Sequence, residues 1–121
     1  MQVNRAAGRE SDRVAYKVLT ADELRELERG GWRGSAPDLA DGFIHLSAAA
    51  ELTGTVDKWF AGCTGLMVAA IDLAVLGDEV RWEPSRGGAL FPHVYGTLGP
   101  DHVLATCALT RDSAGEVERP A

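Results

Sequence analysis

The sequence predicts one small α+β domain built mainly on antiparallel strands. Three observations predict it. Apolar runs of strand length recur along the chain with turn residues between them, helical spacing is confined to two early segments, and strands and helices do not alternate as a parallel βαβ array requires. A chain of 121 residues is one domain. Size scaling lets it bury about two-thirds of its unfolded surface, enough for a core without staples.

The elements follow in order. Residues 14–19 read as a first strand. Thr20 and Glu23 then form a capping box, in which the Thr hydroxyl accepts from the third helical amide and the Glu carboxylate reaches back. Leu24 and Leu27 keep helical spacing, and Gly30-Gly31 supplies the left-handed residue that ends a helix. Residues 32–41, with Pro37, read as a loop, and residues 43–46 as a short strand. Ser47 can cap a second helix whose stripe is Leu52, Val56, Trp59 and Phe60, closed by Gly62. Residues 66–71 are a continuous apolar run, as in a central strand covered on both faces, and Asp72 ends it. Residues 79–83 alternate, with Val80 and Trp82 on one face and Arg81 and Glu83 on the other. Residues 84–90, with Gly87-Gly88, read as a loop, 91–95 as another short strand, 96–100 as a turn and 102–109 as the last strand. The sum is about six strands and two helices. The ordered domain is set at residues 13–110, with 1–12 and 111–121 as flexible tails.

Composition excludes several functions. Hydrophobic residues make up 45% and charged residues 25%, which is globular rather than disordered. Twelve Lys plus Arg against eighteen Asp plus Glu give a net charge of −6, which repels phosphate backbones and argues against nucleic-acid binding. No apolar run reaches membrane-spanning length, and the polar first residues lack the apolar centre of a signal peptide. Cys63 and Cys107 lie far apart and fit neither a metal nor a redox motif, so they read as reduced thiols of a cytoplasmic protein.

Chemistry gathers at a few positions. His45 shares a strand face with Phe43, while Ile44 and Leu46 point the other way. A lone histidine there is a core residue held by one hydrogen bond, but Ser47, Glu83, His93 and Tyr95 supply further polar groups, three of them beside Gly or Pro. Glu83 can stabilise positive charge or accept a proton; equally, it can pair with Arg81 or Arg86 at the surface. His93 and Tyr95 project to one face if their segment is extended. His45, Glu83, His93 and Tyr95 are therefore the candidate catalytic groups, and His45, Ser47, Arg81 and Tyr95 the candidate ligand contacts. His45, His93 and His102 could together bind zinc, but their spacing matches no ligand signature, and no metal is expected. Ser47 lacks a nucleophile elbow, and Gly87-Gly88 lacks the Lys-Ser/Thr and helix of a phosphate loop.

The segments at 16–20, 41–47, 66–72, 81–84 and 88–96 identify the chain as a member of a bacterial family of unknown function, DUF952, over nearly the whole ordered domain. More distantly, Gly42 to Ser47, then a helix, an apolar strand ending in Asp72 and a late Gly-rich turn, resemble RNA 2′-phosphotransferases. Those enzymes share the ADP-ribosyltransferase fold. That resemblance implies a small split β-sheet clamping NAD, with His45 at a ribose hydroxyl and Glu83 or Tyr95 in the remaining cleft roles. The order His45, Glu83, Tyr95 departs from the usual His or Arg, then Tyr or Ser, then Glu. The phosphotransferases also need an arginine-rich cleft and an N-terminal lobe, whereas this chain is acidic and is expected to lack that lobe. Three functions follow as expectations: an ADP-ribosyltransferase-like enzyme on NAD or an ADP-ribosyl or nucleotide small molecule, a cofactor-free acid–base enzyme on a small metabolite, and a non-catalytic small-molecule-binding module.

Overall fold

The computed structural model describes residues 13–120. Two three-stranded antiparallel sheets divide the molecule. In the first, β3 (Leu66–Asp72) lies between β1 (Val14–Thr20) and β6 (Val103–Ala108). In the second, β5 (Leu90–Val94) lies between β2 (Ile44–His45) and β4 (Val80–Pro84). One bridge joins them: Tyr16 and Ser47 exchange both backbone bonds, at 2.8 and 2.9 Å, while the Leu46 N–H reaches back to the Pro92 carbonyl at 3.0 Å. The strand after β2 thus leaves the second sheet for the edge of the first, which splits one antiparallel surface into two.

The apolar run of β3 is explained by cover on both faces. Ala69 and Ile71 enter the main core with Leu19 and Leu27, and the inner face of the second sheet adds Ile44 and Val94 to it. Leu66 and Val68 face the other way, onto Val18, Leu52 and Val56. Burying a side chain of this kind is worth about 1.5–3 kcal/mol, so both layers contribute.

Helix α1 (Ala21–Glu28) starts as expected. The Glu23 N–H donates to Thr20 Oγ1 at 3.1 Å and the Thr20 N–H to Glu23 Oε1 at 2.9 Å. Four expectations are corrected. Residues 36–41, expected as loop, form the helix α2 (Ala36–Asp41). Pro37 sits in its first turn, the Asp38 carboxylate accepts from the Ser35 N–H at 2.9 Å, and Gly42 ends it at φ +88°. At six residues it is too short to display an apolar period. Helix α3 (Leu52–Trp59) begins after a 3₁₀ turn at Ala49–Glu51, and the Ser47 hydroxyl bonds Thr55 at 2.7 Å instead of capping it. Trp59, at the last position of α3, is 66% exposed, so the buried stripe is Leu52 and Val56. Residues after Thr110, expected as a frayed tail, fold back. Arg111 pairs with Val117, the Val117 N–H donates to Thr53 Oγ1 at 2.9 Å, and Val117 is buried beside Val56. The expected tail 1–12 lies outside the described residues. After β3, Asp72 accepts from the Ala74 N–H at 3.0 Å and starts the short α4 (Leu73–Leu76). Among the described residues no helix is long and apolar enough to cross a membrane.

Candidate functional site

The site is the outer face of the second sheet. Register puts His45 opposite His93 and His93 opposite Arg81, with Glu83 opposite Phe91. Alternation then sends Phe43, His45, Arg81, Glu83, His93 and Tyr95 to one side and Ile44, Trp82 and Val94 to the core. Phe43 sits among the rings, stacked on His93 at 4.1 Å between centroids and tilted toward His45 at 4.7 Å and Tyr95 at 5.2 Å. His45 and His93 meet edge to face at 5.3 Å, and the Arg81 guanidinium lies 4.6 Å from the Tyr95 ring centre. The four candidate catalytic side chains lie together on one sheet face.

Two carboxylates organise that face. Asp38, 2% exposed, takes His45 on Oδ1, from the backbone N–H at 3.1 Å and the ring Nδ1 at 2.6 Å. Its Oδ2 takes Lys17 Nζ at 2.8 Å and the Ser35 hydroxyl at 3.1 Å. Lys17 also donates to the His45 carbonyl at 2.9 Å. Burial alone would push the Asp38 carboxyl up; the His45 hydrogen bond and the Lys17 charge outweigh it and hold it well below the usual carboxylate range. On the solvent side His45 Nε2 faces Asp41 Oδ2 at 2.9 Å, so each ring nitrogen lies against a carboxylate oxygen.

Glu83 organises the other half. Its Oε1 accepts from His93 Nδ1 at 2.6 Å and from the Tyr95 hydroxyl at 2.8 Å. The His93 hydrogen bond, then that of Tyr95, holds the Glu83 carboxyl below its ordinary value, and the same contact with Glu83 raises the Tyr95 phenol. His93 is 5% exposed, and its Nε2 is buried without a hydrogen-bond partner among the described residues.

Other candidates fall elsewhere. Ser47 is buried against Thr55, off the ring cluster. His102 accepts the Gly99 N–H at 2.9 Å within its own turn. Among the described residues no group of three or more His, Cys, Asp or Glu side chains is placed to hold a metal ion. The sequence reading misses Asp38, Lys17 and Asp41. The available signals were the Ser35-to-Asp38 cap with Pro37 inside it, and a lysine at the inward-facing position of β1, between Ala15 and Leu19.

Fold and site define a small split-sheet α+β protein with imidazoles, carboxylates and aromatic rings on one sheet face. The chain belongs to the family described as "Protein of unknown function (DUF952)", whose model matches residues 18–106. It is similar to protein CC0527 from Caulobacter crescentus, whose X-ray structure is 42% identical, with a TM-score of 0.78 over 87% of this chain and 93% of that one. The solution NMR structure of CC0527 is also 42% identical, with a TM-score of 0.71 over 85% and 90% of the two chains. No curated protein matches the chain.

Proposed function

We propose that this chain is an ADP-ribosyltransferase-like enzyme that takes NAD, or another small molecule carrying a ribose with a basic leaving group at C1′, on the outer face of the second sheet. The observation that carries this reading is the state of Glu83. Its carboxyl is half-buried, anchored at Oε1 by two donors and held ionised by them. A carboxylate held below its ordinary value is a weak base, and a weak base removes protons poorly at neutral pH. It is well suited to stabilise the positive charge that develops when the C1′–N bond breaks and the leaving base departs with the bonding pair. His45 and Asp41 offer a donor and an acceptor to ribose hydroxyls, and Tyr95, backed by Arg81, offers a ring face to the leaving base. The split antiparallel sheets, with His45 on the first strand of the second, support the same reading.

NAD titration followed by NMR tests it. Resonances of the His45 and Tyr95 rings shift together on binding, and Glu83→Gln binds NAD but does not cleave it. No shift at millimolar NAD overturns the proposal. A second reading, cofactor-free acid–base catalysis on a small metabolite, is favoured by the His45 ring, which is half-exposed and braced by a carboxylate at each nitrogen. It predicts a pH–rate profile with a limb that disappears in His45→Ala, with no requirement for NAD.

A further inference from the structure

Two imidazoles on this face each hold a carboxylate through Nδ1, but they differ in what is left over. His45 keeps its second nitrogen at the surface, against Asp41. His93 is sealed: Phe43 stacks on its ring, and Nε2 finds no partner among the described residues. A nitrogen 2.6 Å from a carboxylate oxygen donates to it, so the Nδ1–H tautomer fits, with Nε2 as a bare acceptor in the interior. That nitrogen is buried and does not meet solvent.

Glu83 is placed the opposite way. Both of its donors, His93 and Tyr95, converge on Oε1. Among the described residues no hydrogen bond reaches Oε2, and the side chain is only 34% exposed. Two donors arriving on one oxygen from different strand positions fix the carboxylate plane, which a single donor would leave free to rotate.

We infer that His93 is a positioning residue and not a proton carrier: its Nδ1–H pins Oε1, and so presents Oε2 of Glu83 as the atom that meets the ligand. The inference takes only the ligand's identity from the function proposed above. It also divides the two histidines, His45 facing the ligand and His93 acting through Glu83. Among the described residues, the charged and titratable groups that act on Glu83 are His93, Tyr95 and Arg81. His93 carries His45 on one side and Glu83 on the other.

Long-range ¹H–¹⁵N NMR of the ligand-free protein reads the tautomer. A protonated Nδ1 with a lone-pair Nε2 is expected; a protonated Nε2 with a bare Nδ1 overturns the inference. Two variants then separate position from chemistry. His93→Asn keeps a donor near the Nδ1 position, and His93→Leu removes it. The Glu83 carboxyl, followed by ¹³C NMR across acid pH, stays below its ordinary value in wild type and His93→Asn and moves up in His93→Leu. An unchanged Glu83 midpoint in His93→Leu overturns the inference. With NAD as probe, His93→Asn binds close to wild type and His93→Leu about tenfold more weakly, the scale of one charge-assisted hydrogen bond. Equal losses in both variants would place Nε2 on the ligand and overturn it as well. If wild type ignores NAD, the functional proposal falls, while the tautomer and the Glu83 titration still decide the role of His93. If His93→Leu does not fold, the wild-type tautomer and the His93→Asn titration decide it.

Discussion

The two sheets obey the same antiparallel pairing rules and carry different loads. The first is apolar on both faces, with β3 at its centre covered by the main core on one side and by α3 and Val117 on the other. The second is apolar on one face only, and its other face carries His45, His93, Phe43, Tyr95, Glu83 and Arg81. The first sheet supplies rigidity, and the second presents chemistry on a surface whose back is already anchored. Lys17 is the exception that joins them. It leaves the inner face of β1 and ends on Asp38 and on the His45 carbonyl, so the stability of one sheet and the geometry of the other meet in one buried ion pair.

Breaking that link has the largest expected effect. Asp38→Ala leaves Lys17 charged and unpaired in the interior and frees both His45 contacts, a loss of about 3–5 kcal/mol. Urea unfolding measures it as a lower midpoint at unchanged slope. A loss under about 1 kcal/mol would mean that the buried pair does not connect the sheets. The double replacement Lys17→Met with Asp38→Leu restores most of the stability but leaves His45 without its anchor, so stability and site geometry part company.

Next comes the first sheet alone. Ile71 is fully buried in the main core, and Ile71→Ala costs about 2–5 kcal/mol through lost transfer energy and a residual cavity. The ring resonances of His45, His93 and Tyr95 stay where they are in the folded fraction. Shifts there would show that the outer face is not insulated from the core of β3.

Acid acts on the link without mutation. The Asp38 carboxyl is depressed in the folded state, so its contribution is complete above the ordinary aspartate range, near pH 4. It is lost progressively as the pH falls below that toward the folded value. Unfolding free energies measured between pH 6 and about pH 2 therefore fall in wild type, and fall less steeply in the Lys17→Met, Asp38→Leu double variant. Parallel curves would assign the acid sensitivity to other carboxylates.

How much of this can be read from the residues depends on range. The alternation of Arg81 with Glu83 and of His93 with Tyr95 is local, and it correctly places each pair on one face. The capping box at Thr20 and the covered strand at 66–72 are local as well. What the chain does not display is register. Nothing near His45 says that it lies opposite His93, because that pairing is set by how β2 meets β5 across a long intervening segment. Asp38 and Lys17 are hidden for the same reason: a lysine in a strand and an aspartate in the first turn of a short helix look solvated until the fold brings them to 2.8 Å. Val117 is one apolar residue in a polar stretch, and its burial depends on a surface that α3 provides. Trp59 shows the converse error, since helical spacing placed it on the stripe but the helix stops at that residue.

The smallest expected effect is confined to the outer face and leaves stability aside. The Tyr95 hydroxyl donates to a carboxylate, and losing its proton would set a phenolate against that charge, which is why the phenol is raised. In Glu83→Gln the side chain still offers a carbonyl oxygen to the hydroxyl but no negative charge. Tyr95 then ionises at lower pH than in wild type. Tyr16 and Tyr95 are the two tyrosines of the chain, so alkaline absorbance titration in a Tyr16→Phe background reads Tyr95 alone. An identical midpoint in the two proteins would mean that burial and not Glu83 holds the phenol up. In that case Glu83 is free to rotate, and the claim that one oxygen is pinned while the other faces the ligand loses one of its two supports.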